Sequence, residues 1–555
     1  MTPIKTSSAS HAGIIHDGSP ICNFDLAVTQ TYLWADGPLA GELAYIIIRL
    51  TSDFACYHEQ VPACELDRLS FLKKHPDLSL YHRKFQPVLL QHLSRLLASA
   101  LANGPSGLAF CQTGLHHLDS AQTVFVAGDR LIGGNGIDAI FTPEIAQFHL
   151  PPSPFPPKEA ARLLLTRFCR TQSSASVPIF AFGLLTAVQS LILSCGIPLT
   201  SVLYVSGGSG LGKTESVKRF FALYNFAATG QPALITEAGS TMPGFRKHLR
   251  IARDLPVVLD DLCLSTGQSF QKKRIDLGAQ VVREAANKSS VRVSANTSAE
   301  EACTAAGVAL TAEFNLSTIS DLTRCIIIPL TQPVTGGRAD DRSIAAGALE
   351  SFLNWFVSRS SQEAQNLRRL YDASLAQRRM DRLDIGLFCM RWVFQRFLTF
   401  SLDVGGLTQE EHHEFQLYFQ NMLDYIESQQ RALIHALDTK IPKLSIPELL
   451  LEGLKHDYLP VTSKRKKWDE STAFRKGNDL LIPPTLLLAF VNAQDGYQTF
   501  TLNKVGRALK AAGVLVLHKG DHANTVKIRD NLPRMYHVRI DLLEEVCRHP
   551  VPLEQ

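Results

Sequence analysis

Apolar residues recur at three- and four-residue spacing over 85–102, where Val88, Leu89, Leu90, Leu93, Leu96 and Leu97 share one broad face, and this predicts an amphipathic helix. Short β-like runs at 44–50 and 123–127 accompany it, so 1–150 reads as an α/β accessory domain. The segment 150–157 has five prolines in eight residues, which suits neither a helix interior nor a central strand and marks a stiff linker. From 158 to 330, apolar β-like runs alternate with helical stretches, the pattern of a parallel α/β sheet. Residues 331–342, with Pro333, Gly336, Gly337 and paired aspartates, read as a loop. Helical periodicity then fills 343–440, at 347–356, 362–376, 383–400 and 409–436, and a last domain covers 441–555.

The most apolar stretch, 177–194, approaches membrane-span length, but Gln189, Ser190 and Ser194 interrupt it and Gly196 and Pro198 close it, so a buried helix is expected rather than an anchor. The first twenty residues lack the charged start and apolar block of a secretory signal, and a cytoplasmic location is expected. At 555 residues the chain is expected to hold three or four domains. Its 45% hydrophobic and 19% charged residues exclude collagen, coiled coil and intrinsic disorder. Eleven cysteines include no C-x-x-C pair, and the adjacent histidines His116-His117 and His412-His413 lack an H-E-x-x-H context, so no metal site is expected from either.

The charge distribution changes this bland picture. Residues 461–550 carry 15 Lys and Arg against 9 Asp and Glu, a surplus of six, whereas the whole chain is +4. A basic module on a near-neutral body suits contact with phosphates, since neutralising them releases counterions.

The decisive motif lies at 207–214. Gly207, Gly208, Ser209, Gly210, Leu211, Gly212, Lys213 and Thr214 fit G-x-x-x-x-G-K-[ST], behind a β-branched and aromatic run and ahead of a helical one. Glycines let the backbone wrap a polyphosphate, and amide groups at the helix start point at the anion. Lys213 is expected to reach the β and γ phosphates of ATP and Thr214 to supply a hydroxyl to Mg²⁺. An apolar strand at 255–262 ends in two carboxylates: Asp260 would hold the Mg²⁺ and Asp261 would act as general base on the attacking water. No Asn-Lys-x-Asp guanine reader follows, which disfavours a GTPase. A further strand at 307–315 offers Thr311, Glu313 or Asn315 as a γ-phosphate sensor, with the choice left open. Arg324, just ahead of an apolar strand, suits a finger acting on a neighbouring subunit's nucleotide, which requires a ring.

Together these residues resemble the AAA+ and superfamily 3 helicase ATPases, and nearest among them the domain-of-unknown-function 927 family of plasmids, phages and staphylococcal cassette elements. The resemblance is strong over about 160–330 and weak in the flanks. It rests on the phosphate loop, the Asp260-Asp261 pair, the Thr311-x-Glu313 strand and Arg324. It implies a five-stranded AAA+ sheet and a hexameric ring. It also makes Lys272, Lys273, Lys288 and Arg292 pore-loop candidates for DNA, since loops at this point face the pore of ring helicases. Gly208 and Leu211 stand where such proteins often carry small polar residues, and Phe314 follows the Thr-x-Glu.

In the C-terminal domain, helices at 485–492 and 502–512 precede β-like runs at 513–521 and 525–529, which together look like a winged helix. Lys504, Arg507 and Lys510, three residues apart on the second helix, are its expected DNA contacts, and the run Lys464-Arg465-Lys466-Lys467 could add a phosphate clamp. The expectation is an α/β protein with an AAA+ P-loop core, hydrolysing ATP with Mg²⁺ in a ring and moving on DNA during replication of a mobile genetic element. Two other readings stay open: an ATP-switched assembly protein that uses its winged helix to dock a partner, and a helicase with a degenerate primase in 1–150.

Overall fold

The computed structural model describes residues 5–6, 13–118, 122–146, 148, 150, 154–169, 175–220, 234–236, 242–262, 268–287, 305–314, 316, 318–330, 341–438, 445–456, 458–464, 471–495, 500–516, 525 and 534–548. The N-terminal part holds a five-stranded mixed sheet whose central strand, Asp25–Trp34, pairs antiparallel with Leu43–Thr51 and parallel with Gly107–Phe110. The expected amphipathic helix is present as Gln86–Ala102 and buries Leu89 and Leu93 over this sheet. Asp25–Trp34 escapes a period-two reading because two register shifts, at Val28/Gln30 and Tyr32/Leu33, break its alternation.

A second, antiparallel sheet of Gly114–His117, Thr123–Val126 and Leu131–Ile132 follows. Its residues Leu115, Phe125 and Ile132, with Phe148 and Leu150, belong to the same apolar core as the main sheet downstream. Polar ties reinforce this: Ser360 donates to Thr123 at 3.0 Å and Arg130 pairs with Glu350 at 2.9 Å.

The main sheet has five strands, all parallel: β1 Val202–Gly207, β2 Leu234–Thr236, β3 Pro256–Leu262, β4 Gly307–Ala312 and β5 Cys325–Leu330, in the order β2-β3-β4-β1-β5. Burial on both faces explains their continuous apolar sequences. The helix expected over 177–194 forms two pieces, Ser176–Ala187 and Gln189–Ser194, broken at Val188. Every residue of the first piece is buried. The break lets Ser190 donate both its amide (2.6 Å) and its hydroxyl (2.5 Å) to the buried Asp254 carboxylate, which also accepts the Leu115 amide at 2.9 Å. Gly307 is required where Ser176–Ala187 crosses the start of β4, since a Cβ there would collide with the Thr186 side chain. No helix among the described residues is long and apolar enough to cross a membrane.

Helix α1, Lys213–Phe220, follows β1, and α2, Gln268–Asn287, connects β3 towards β4. Four long helices come after the sheet: α3 Asp341–Val357, α4 Ser360–Gln377, α5 Arg382–Asp403 and α6 Gln409–Asp438. An aromatic cluster of Phe180, Phe352, Phe394, Phe397 and Phe400 joins α3 and α5 to the buried helix Ser176–Ala187. Gln430 of α6 accepts the Ile327 amide and donates to the carbonyls of Leu322 and Cys325, so the last helix is pinned to β5.

The C-terminal part has its own apolar core, made by α7 Ile446–Lys455, α8 Pro484–Asp495, α9 Leu502–Ala511 and α10 Ile540–Arg548 around a four-stranded sheet.

Candidate functional site

Because the five strands are parallel, their carboxyl ends gather at one edge, where ligands bind in open α/β sheets. β1 leaves this edge at Gly207 and the chain turns through Gly210 (φ 77°) and Gly212 (φ 80°), left-handed conformations that favour glycine. Helix α1 then begins at Lys213. The Lys213 ammonium folds back onto the loop and donates to the carbonyls of Gly207 (3.0 Å) and Gly208 (2.8 Å). Ser216 closes the first turn, donating its amide and hydroxyl to the Gly212 carbonyl, each at 2.8 Å.

β4 lies between β1 and β3, and it carries Thr311 between the loop and the acidic strand end. Asp260 Oδ1 accepts two hydroxyls: Thr214 from the loop side at 2.7 Å and Thr311 from β4 at 2.5 Å. Asp260 is 6% exposed and Thr311 fully buried, so this carboxylate is held by hydroxyls in place of water. A cavity of about 280 Å³ opens beside them, lined by Ser209, Gly210, Gly212, Lys213, Thr214, Glu215, Leu262, Thr311 and Glu313. Glu215 and Leu262 were not singled out in the sequence. The available signal was that Glu215 directly follows the motif's threonine in the first helical turn.

The donor set suits a hard divalent cation with a polyphosphate. The Thr214 hydroxyl and the Asp260 carboxylate are oxygen ligands of the kind Mg²⁺ selects, and Lys213 supplies the facing cation. Thr311 and Glu313 both reach the cavity, while Asn315 lies outside the described residues. Asp261 sits in β3 beside the register shift between Leu259 and Leu262, and its side chain lies outside the described ones. Tyr204, buried in β1, donates its hydroxyl to the Phe314 carbonyl at 2.5 Å and ties the loop strand to the segment after β4.

Arg324 lies at the opposite edge. It directly precedes β5, and its carbonyl accepts the Val202 amide at the start of β1, a full strand from the phosphate loop. Six residues at about 3.3 Å each make that roughly 20 Å. Its guanidinium donates to Ser320, to the carbonyl at 2.6 Å and the hydroxyl at 2.5 Å. Burial lowers its pKa from the ordinary value, and the like charge of Arg382 lowers it further. Neighbouring Asp321 instead takes a bidentate pair from Arg283 of α2, at 2.8 and 2.9 Å.

The nucleic-acid candidates fare unevenly. Lys272 and Lys273 fall within α2, which begins at Gln268, so they stand on a helix where a loop was expected; the sequence underestimates the helix because Gln271-Lys272-Lys273-Arg274 has no apolar residue. Lys288 and Arg292 lie outside the described residues, as do Arg465, Lys466 and Lys467. On α9, Lys504, Arg507 and Lys510 are all exposed, opposite the buried Val505 and Leu509, and Thr501 caps the helix through the Lys504 amide. Following α9, 514–516 lies antiparallel to Tyr536–Arg539, with Val516 N donating to His537 O at 2.9 Å and Arg539 N to Val514 O at 3.0 Å. The described return strand is therefore 536–539; of the expected one at 525–529, only Thr525 is described.

This topology is a helicase-like fold. Among solved structures the chain is similar to the SCCmec type IV protein Cch, described as an active helicase, with a TM-score of 0.51, 14% identity, and coverage of 98% of this chain and 99% of that one. A C-terminal region of NrS-1, in its A form apo structure, aligns over 92% of this chain and 95% of its own at 10% identity with a TM-score of 0.26. No protein-family model matches the chain, and no curated protein does.

Proposed function

We propose that this chain is an ATP-driven motor of a mobile genetic element, an AAA+ and superfamily 3-like helicase related to the domain-of-unknown-function 927 proteins, acting on DNA as a hexameric ring. The observation that carries the reading is one carboxylate with two hydroxyls: Thr214 from the start of α1 and Thr311 from β4 converge on Asp260 beneath a glycine loop bearing Lys213. The five parallel strands, the sensor strand inserted between loop and acid, and the similarity to Cch support it.

In this reading Lys213 leaves the Gly207 and Gly208 carbonyls for the β and γ phosphates of ATP, and loop amides take up the remaining phosphate charge. Thr214 and Asp260 would hold Mg²⁺, which supplies charge neutralisation when bound. Asp261 accepts a proton from water as its oxygen attacks the γ-phosphorus; the bond to the β-phosphate oxygen breaks, leaving ADP and phosphate. Thr311 keeps Asp260 in place, and Glu313 or Asn315 is the other candidate for orienting water. Arg324, a strand's length from its own loop, acts on the nucleotide of the neighbouring copy. The C-terminal domain works as a winged helix, with Lys504, Arg507 and Lys510 on DNA phosphates, and Lys272, Lys273, Lys288 and Arg292 line the pore. The parts at 1–150, 158–330, 343–440 and 441–555 are the accessory, ATPase, helical and basic domains, and the protein works in the cytoplasm.

The test is steady-state phosphate release with and without single-stranded DNA at low and moderate salt. A several-fold, salt-sensitive stimulation is expected, abolished by Lys213→Ala in a protein that still folds. A Lys213→Ala protein that hydrolyses ATP normally would sink the site. Hydrolysis indifferent to DNA would favour an ATP-switched assembly protein over a motor.

A further inference from the structure

Beside Arg324 the structure opens a cleft of about 660 Å³ between the end of α4, the start of α5 and α6, lined by Thr323, Arg378, Arg379, Met380, Asp381, Arg382, Asp384, Ile385 and Arg431. Four arginines in one cleft call for anions, and the chain supplies some. Arg431 pairs with Asp381 at 3.0 Å, Asp384 at 2.6 Å and Glu427 at 2.9 Å, and Arg378 pairs with Asp384 at 3.0 Å. These carboxylates are thereby used up. Arg379 and Arg382 are exposed and have no carboxylate at ion-pair distance among the described residues, and neither does Arg324 next to the cleft. Three guanidinium groups thus lie in or next to one cleft with no carboxylate at ion-pair distance among the described residues, and this leaves their donor forks open to an anion from outside.

We propose that Arg379 and Arg382 form, with Arg324, a trans-acting cradle that grips the phosphate chain of a nucleotide held in the phosphate loop of the neighbouring copy. The proposal rests on the reading of an ATP site shared between subunits and extends it: the α4–α5 turn, outside the sheet, completes that site. A planar guanidinium matches phosphate oxygens bidentately, which a lysine cannot reproduce. The volume of the cleft is within the range of small-ligand sites, so a phosphate chain fits. The same chemistry could instead serve nucleic-acid phosphates, and the experiment separates the two sources.

The full-length Arg379→Ala/Arg382→Ala variant is compared with wild type in phosphate release without DNA, and in anisotropy binding of a fluorescent single-stranded oligonucleotide. Both residues are exposed, so a thermal melt unchanged from wild type is expected to accompany the variant. A drop of tenfold or more in hydrolysis is expected, with oligonucleotide binding within twofold and with Lys replacements recovering only part of the loss. Mixing with Lys213→Ala protein, whose loop is dead but whose cleft is intact, is expected to restore turnover above the sum of the two. Normal hydrolysis in the double variant overturns the proposal. So does a deficit that mixing leaves unrelieved, which would mean the cleft acts within its own chain. Lost oligonucleotide binding with intact DNA-free hydrolysis also overturns it, and assigns the cleft to nucleic acid. Failure of the underlying reading looks different: wild type itself would not hydrolyse ATP, or Arg324→Ala would remain fully active.

Discussion

Replacing Thr311 with valine removes one hydroxyl and keeps the side chain's shape, so it tests what the bond to Asp260 does. Thr311 is fully buried and its donor sits 2.5 Å from Asp260 Oδ1. A hydrogen bond to a charged acceptor contributes about 1.5–3 kcal/mol, and valine leaves no cavity to add to the loss. In the structure Asp260 has a second donor, Thr214, at 2.7 Å. Once the Thr214 hydroxyl is engaged with metal, Thr311 becomes the carboxylate's remaining side-chain anchor, and its loss falls on the step in which the metal and phosphates must be held in line. At about 1.4 kcal/mol per decade, kcat for ATP hydrolysis is expected to fall by roughly 10- to 100-fold. KM should stay within about threefold, because Lys213 and the loop amides are untouched. Thr311→Ser, which restores the hydroxyl, should recover most of the rate. The assay is phosphate release across an ATP titration. A Thr311→Val enzyme with wild-type kcat, or one whose defect lies in KM, or one that serine fails to rescue, would refute the positioning role.

Three further outcomes are expected. Arg324→Ala should bind ATP but not hydrolyse it, and mixing it with Asp261→Asn protein should recover activity in phosphate-release assays if the site spans two copies. Lys504→Ala/Arg507→Ala/Lys510→Ala should leave the fold intact and reduce the slope of log binding constant against log salt for single-stranded DNA by about 2, at ~0.7 per phosphate contact. The buried His116 ring has its pKa pushed down to about 3, chiefly by burial, so it is neutral in the folded protein. Its contribution is present above the unfolded value near 6.5 and lost as pH falls towards 3; relative to His116→Gln, wild-type stability in urea should therefore rise by about 1.4 kcal/mol per pH unit between pH 4 and 6. Equal slopes for the two proteins would contradict a buried neutral imidazole. Asp254 works in the opposite sense: burial raises it to about 6, so its effect favours stability at lower pH and fades as pH rises from about 4 to 6.

The half built on the parallel sheet was legible because its elements carry strong local signals. The four helices after the sheet declare themselves by period, and α3 to α6 extend the expected cores by a few residues at their ends. The phosphate loop is readable because only particular residues tolerate its backbone. What could not be read was convergence. Nothing local says that Thr311 and Thr214, 97 positions apart, share one oxygen of Asp260. Asp25–Trp34 was hidden by its register shifts, and the split of 177–194 depends on Asp254, a partner 64 residues from Ser190. The arginines around Arg324 are spread over α2, the α4–α5 turn, α5 and α6, so only folding shows which of them keep a carboxylate.

The ties between residues 113–150 and later parts of the chain also have a consequence for the order in which the protein can be made. Leu115 waits for Asp254, 139 residues later, Arg130 for Glu350, 220 later, and Thr123 for Ser360, 237 later. A ribosome has therefore completed all five strands of the main sheet and the first long helix after it before this early segment can find the last of its partners. At about 5–20 residues per second, the Thr123–Ser360 wait lasts on the order of ten to fifty seconds, during which Leu115, Phe125 and Ile132 are exposed on the nascent chain. Holding that segment soluble, a task for chaperones, is the cost of a core assembled from distant parts of one polypeptide.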